Sequence, residues 1–430
     1  MSDGRFKQSL DWLERARRTV PGASQTFSKG ANQFVRGASP LFIERGLGAR
    51  VWDIDGHEYL DYTMGLCAVT LGYADPDVNA AVAAQLERGV IFTLPSRLEA
   101  ETAEVLCGLI PCAEMVRFGK NGSDATSGAV RLARAFTGRD VIAACGYHGW
   151  QDWYIGATTR NLGVPKAVRE LTHTFVYNRI ETLEQIFDAH PGQVAAVIME
   201  PVGIEPPVPG FLESVRDMCR RHGALLIYDE IVTGFRLALG GGQEYFGVVP
   251  DLACFGKGMS NGLPVAALVG RRDVMRLLED VFFSFTAGGE LASLAACLAT
   301  IDKMQRTSTI AQLWDRGQRL RDEVNRLSTA AGTDGAIRCA GLGPRTVMNF
   351  LTPAGEPWWE LKSLFLQECV RRGMLFSGAH NMALAHGEAE VAFACRVYRE
   401  VFPVVADAIR RGDIRSRLEG LPVEPVFRKP

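Results

Sequence analysis

Charge imbalance is absent from this chain. Its 47 Lys and Arg against 49 Asp and Glu leave a formal net charge of −2, so no global field recruits nucleic acid or an anionic membrane. Paired cysteines are absent too. The ten Cys stand singly at 67, 107, 112, 145, 219, 254, 297, 339, 369 and 395 with no C-x-x-C, several within apolar runs where Cys behaves as a small hydrophobe. That argues against a disulfide framework and for a reducing compartment. None of the seven His falls in H-E-x-x-H or another metal-ligand spacing, so no metal is expected. The opening MSDGRFKQSL carries no apolar leader, and no run approaches membrane-spanning length. A cytoplasmic protein is the expectation. A P-loop is missing: its opening glycine would stand where Asp251 is, and its Ser/Thr where Gly258 is. There is no dinucleotide G-x-G-x-x-G in the right context, no internal repeat and no long linker.

What is present is a chain of 430 residues, 47% hydrophobic and 22% charged, ample for a large core. Its 45 glycines fit an enzyme with many tight turns. FKQSLDWLERARR, 6–18, has helical spacing, and an irregular arm follows to Gly37. RVWDIDGHEYLDYT reads as two short strands joined at Asp55-Gly56. From about 73 to 310, helical stretches alternate with short apolar runs, the pattern of a parallel sheet covered on both faces. The predicted strands are 115–118, 141–144, 195–199, 224–228, 252–255 and 263–270. A charged helix over 310–327 leads out, followed by a strand near 347–350 and helices near 358–372 and 388–411. The expected organisation is an N-terminal arm with part of a small domain (1–72), a large α/β domain (73–310) and the rest of a discontinuous α+β small domain (311–430).

The richest stretch is 222–262. ALLIY is a buried strand that delivers Asp229 to its carboxyl end, and Leu252–Phe255 delivers Lys257 between two glycines. Open α/β sheets bind ligands at that edge. An acid and an amine there suit pyridoxal phosphate (PLP): the lysine forms a Schiff base with the aldehyde, and the carboxylate keeps the pyridine nitrogen protonated. Either residue alone is more often a cap or a solvated charge. RFGKNGSDATSGAVRLARAFTG, 117–138, follows a strand and opens a helix, so the Asn121-Gly122-Ser123 turn offers backbone N–H groups to an anion. The plain alternative is a helix capped by Ser123 or Asp124 with no ligand. One rival motif, Gly258-Met259-Ser260-Asn261-Gly262, fits the G-x-S-x-G elbow of serine hydrolases, but a strand rather than a helix is expected after it.

YDEIVTGFR, the spacing from Asp229 to Lys257 and the Thr at 286 resemble the class III (omega-type) aminotransferases of PLP fold type I, and within them the glutamate-1-semialdehyde aminomutase branch. The resemblance covers nearly the whole chain. It implies a mostly parallel central sheet with helices on both faces, and PLP cycling with pyridoxamine phosphate. It also implies Lys257 and Asp229 as the reactive pair and Gly122-Ser123 at the cofactor phosphate, where the family's Ser-Gly-Thr-Glu-Ala is Asn-Gly-Ser-Asp-Ala here. Tyr147 is placed against the ring with His148 beside it, Ile231 on the opposite face, and Glu200 in the surrounding shell. Trp150, Trp153 and Tyr154 read as core aromatics. Thr286 is expected to reach the phosphate of a second subunit, which implies a homodimer. Its loop departs from the family's Thr-x-Ser-Gly-Asn-Pro, reading Thr286-Ala-Gly-Gly-Glu290-Leu.

The implied reaction moves an amino group from a small-molecule donor to an aldehyde or ketone. The departures at 203–206 and 287–291 favour intermolecular transfer over the aminomutase reaction. An epimerase or racemase on the same fold, a silent cofactor-binding regulator and a serine hydrolase are the alternatives. Arg36, Arg345 and Arg396 are candidates for a substrate carboxylate.

Overall fold

The computed structural model describes residues 4–426 and divides into two compact units: residues up to Asp75 with those from Ala311 onward, and Pro76–Ile310.

In the Pro76–Ile310 unit seven strands form one sheet: β1 Met115–Gly119, β2 Val141–Cys145, β3 Thr172–Thr174, β4 Val194–Met199, β5 Leu225–Asp229, β6 Leu252–Phe255 and β7 Ala266–Gly270. Their spatial order is β1-β7-β6-β5-β4-β2-β3. Strands β2 to β6 pair in parallel, whereas β7 runs antiparallel to both β6 and β1. Connection length explains the exception. A parallel return needs a crossover of about a dozen residues or more, and residues 256–265 hold only a short 3-10 turn at Lys257–Ser260. The other connections carry helices, among them α1 Gly122–Thr137, α2 Ile180–Ala189 and α3 Phe211–His222. Strands β2, β4, β5, β6 and β7 are buried along their whole length, which is why they read as unbroken apolar runs rather than alternating ones. Ala125, Ala129, Leu132 and Ala133 of α1 share one core with Ile142, Ile198, Ile227 and Leu268. The polar Thr-His-Thr of β3 gave no strand signal; it sits at the sheet edge.

In the other unit the Asp55-Gly56 hairpin forms between Arg50–Asp53 and Glu58–Asp61. Gly56 at φ +92° takes the conformation that favours glycine. Ile43–Leu47 and Met374–Leu375 extend this sheet, and Ile337–Leu342, Arg345–Phe350 and Ala379–Asn381 make a second. Helices Trp359–Arg371 and Glu388–Arg411 close over a core that includes Phe365, Phe376, Tyr398 and Phe402. Among the described residues no helix is long and apolar enough to cross a membrane.

Candidate active site

The site is assembled at the carboxyl edge of the parallel strands. β5 ends in Asp229, which stands in register beside Cys254 of β6. β6 then runs through Gly256 to Lys257, so the acid and the amine leave adjacent strands at the same edge. Asp229 is 3% exposed. One carboxylate oxygen lies 2.8 Å from His148 Nδ1, and the other accepts the Ile231 N–H at 3.1 Å. Lys257 is half-buried and adopts φ +45°, left-handed for a non-glycine residue. Among the described residues its amine has no hydrogen-bond or ion-pair partner, which leaves it available for covalent chemistry.

Ile231 ties this pair to the start of α1. A Cβ placed on Gly122 would lie 3.1–3.2 Å from Ile231 side-chain carbons, and one on Gly256 would lie 3.2 Å from Ile231 Cδ1. The helix start, the isoleucine and the approach to Lys257 therefore meet at one point. The cap of α1 is Asn121, not Ser123 or Asp124. Asn121 Oδ1 accepts the Asp124 N–H at 3.3 Å, while Asp124 Oδ2 accepts the N–H groups of Asn121 at 2.9 Å and Lys120 at 2.8 Å. This reciprocal box turns the acid of Asp124 back onto the chain before the helix. The first-turn N–H groups of Gly122 and Ser123 lack helical acceptors and form, with the dipole of α1, a place for an anion. Ser123 Oγ accepts the Trp150 N–H at 3.2 Å, and a Cβ on Gly149 would fall 2.2 Å from that oxygen.

The loop after β2 supplies the remaining groups. His148 is buried, its carbonyl accepting the Thr126 hydroxyl at 2.8 Å, and among the described residues its Nε2 has no hydrogen-bond partner. Tyr147 is half exposed, and its backbone N–H donates to Glu200 Oε1 at 3.0 Å. Partial burial raises the Tyr147 phenol, and the negative charge of Asp229 raises it further. Trp153 and Tyr154 are buried around His148, as expected of core aromatics. Trp150 is not: it is 64% exposed. Glu230, next to Asp229, is fully buried and caps a short helix through the N–H groups of Gly242 and Gln243 at 2.7 and 2.9 Å. Burial raises its carboxyl above the usual range despite the Thr233 hydroxyl and those amides.

Thr286, expected to serve a second subunit, is exposed on a turn at 286–289. Ser260 is buried, its hydroxyl donates to the Leu263 carbonyl at 2.5 Å, and β7 rather than a helix follows, so the serine-hydrolase elbow is not formed. Arg36, Arg345 and Arg396 belong to the other unit. One group carried no motif: Lys120, whose amine pairs with Glu290 at 2.8 Å.

A free lysine amine, a buried acid held by an imidazole and a helix-start anion cradle are the three features that a pyridine ring bearing an aldehyde and a phosphate requires, so the residues present fit PLP. The comparisons agree. The family model for class III aminotransferases matches residues 33–384. The 3-aminobutyryl-CoA aminotransferase of Cloacimonas acidaminovorans is 32% identical over 92% of this chain and 97% of its own. The glutamate-1-semialdehyde 2,1-aminomutase of Syntrophobacter fumaroxidans is 34% identical over 90% and 96%. The FumI protein of Sphingopyxis sp. MTA144, solved in its PLP internal aldimine form, superposes with a TM-score of 0.88 at 29% identity, covering 97% of this chain and 99% of that one. The mostly parallel sheet covered by helices is thus that of a fold type I enzyme, and the chain belongs to the class III aminotransferases, which work with PLP.

Proposed function

We propose that Lys257 and Asp229 are the reactive pair of this aminotransferase, with Gly122 and Ser123 at the cofactor phosphate, Tyr147 and Ile231 on the two ring faces, and Glu200 and His148 as the supporting shell. When bound, PLP supplies the electron sink and the carbon that carries the amino group from a donor to an aldehyde or ketone. Lys257 would hold the cofactor through its side-chain amine, and the same amine would move the proton at the substrate α-carbon. Asp229 holds the pyridine nitrogen protonated, and His148 fixes the direction of that acid. Glu200 anchors the backbone of Tyr147, which sets the position of its ring. The observation that carries the reading is Ile231, packed against both Gly122 and Gly256 two residues after Asp229.

Lys257→Ala is expected to abolish amino transfer and the yellow absorbance of the loaded protein; a fully active variant would refute the assignment. Incubating the pyridoxamine form with a panel of carbonyl compounds identifies the acceptor by which one restores the colour. Glutamate-1-semialdehyde supplied alone tests the aminomutase reading, which similarity to such enzymes keeps in view.

An apolar stretch of surface supports a homodimer. Ile91, Phe92, Leu94, Phe282 and Phe285 are exposed, Leu94 and Phe282 each at 76%, and Val90 O accepts the Leu291 N–H at 2.9 Å, holding the two segments together. We infer that a second copy covers this apolar face and that Thr286, within it, serves the partner's site; a monomeric mass by light scattering would sink this. Ten cysteines with no disulfide among them fit the cytoplasm.

A further inference from the structure

Lys120 lies between β1 and the Asn121 cap, and its amine donates to three acceptors from two other segments: Pro264 O at 3.0 Å, Glu290 Oε2 at 2.8 Å and Ser293 Oγ at 3.2 Å. Its three N–H bonds are thereby used. The side chains of Lys120 and Glu290 are only 18% and 16% exposed. Glu290 is itself fixed as the cap of the helix Leu291–Arg306, accepting the Ala292 and Ser293 N–H groups at 2.7 and 3.2 Å. Burial opposes ionisation of Glu290, yet Lys120, Ser293 and the Ala292 amide together hold its acid below the usual range.

Each segment that meets at this amine carries one proposed cofactor contact. Lys120 is followed by the Gly122-Ser123 cradle, Pro264 closes the turn that begins at Lys257, and Glu290 ends the turn that begins at Thr286. Two of the three stretches that depart from the family pattern, Asn121–Asp124 and Ala287–Leu291, border this one ion pair; the third, 203–206, does not. We infer that Lys120 is a positioning residue for cofactor binding. It locks the anion cradle to the lysine turn and to the Thr286 turn, in a register set by Glu290. The inference rests on the PLP reading proposed above.

PLP titration of the apo wild type, Lys120→Met, Lys120→Arg and Glu290→Gln tests it, read by absorbance. Removing one partner of a largely desolvated pair strands the other, so Lys120→Met should raise the PLP Kd about tenfold or more. With cofactor saturating, kcat should stay within about twofold, because no group that touches the reacting atoms is lost. Lys120→Arg should rescue in part, since a planar guanidinium cannot serve three divergent acceptors as an ammonium does. Glu290→Gln keeps an acceptor and should weaken binding less, and the Lys120→Met/Glu290→Gln double variant should fall short of the sum. If Lys120→Met does not fold, the Lys120→Arg and Glu290→Gln titrations carry the test, and wild-type Kd in both overturns the inference. An unchanged Kd in Lys120→Met, or strictly additive effects, also overturns it while leaving the PLP reading intact. A wild-type protein that takes up no PLP overturns both.

Discussion

The close approach of Gly149 to Ser123 sets a sharp limit on what the anion cradle tolerates. A methyl group at 149 would fall 2.2 Å from Ser123 Oγ, 2.8 Å from its Cβ and 3.1 Å from its Cα, and Gly149 sits at φ +106°. Backbone strain for a non-glycine residue at such an angle costs about 1–3 kcal/mol. The overlap adds the cost of overpacking, about 1–3 kcal/mol. Gly149→Ala should therefore lose about 2–6 kcal/mol of stability, and weaken PLP uptake because Ser123 moves at the helix start. Adding Ser123→Gly removes the two shortest overlaps but leaves the crowding against the helix backbone and the strain, so the pair should recover about 1–3 kcal/mol in a double-mutant cycle. Urea unfolding followed by tryptophan fluorescence measures this, with Trp150 next to Gly149 and Trp153 in the short helix Asp152–Ile155 that follows. A Gly149→Ala midpoint equal to wild type, or no recovery in the double variant, would refute the packing argument.

Two further perturbations probe separate features. His148→Phe keeps a ring between Trp153 and Tyr154 but removes the donor to Asp229; losing a hydrogen bond to a charged group should lower kcat roughly ten- to a hundredfold with little change in KM, and wild-type kcat would show that the imidazole does not position the acid. Lys362, beneath the ring of Trp359 and with no acidic partner among the described residues, has its amine pushed down from 10.5 to about 8 by burial. Below pH 8 it is charged in both the folded and unfolded chain and destabilises the fold; between 8 and 10.5 only the unfolded chain holds the proton, and the penalty fades. Lys362→Met should thus stabilise by about 1–2 kcal/mol at neutral pH, an upper bound of about 3 being discounted for partial exposure, with the gain vanishing by pH 10.5; the same gain at both ends of that range would contradict the assignment.

The parts of the site that could be read from the chain are those fixed by local physics. Fully buried strands leave continuous apolar runs, so the ends carrying Asp229 and Lys257 were visible. A strand followed at once by a glycine-containing polar turn and an amphipathic run marked the start of α1. Choice of cap was less legible, because Asn121, Ser123 and Asp124 are all good capping types, and the reciprocal bonds of Asn121 with Asp124 decided it. Trp150, Trp153 and Tyr154 share one composition signal, yet the fold buries two and exposes the third. β3 was missed because three polar residues at an edge carry no periodicity. Lys120 was missed for a different reason: its partner Glu290 is 170 positions away, and no local pattern distinguishes a lysine with a distant partner from a solvated one.

The left-handed backbone at Lys257 has a bearing on directed evolution. Glycine would occupy φ +45° with less strain than lysine, so the chemistry proposed for Lys257 and its folding make opposing demands on a single residue. A library ranked by heat resistance alone would drift toward glycine there and return sturdier, inert proteins. Any such campaign needs a colour or turnover screen alongside the melting curve.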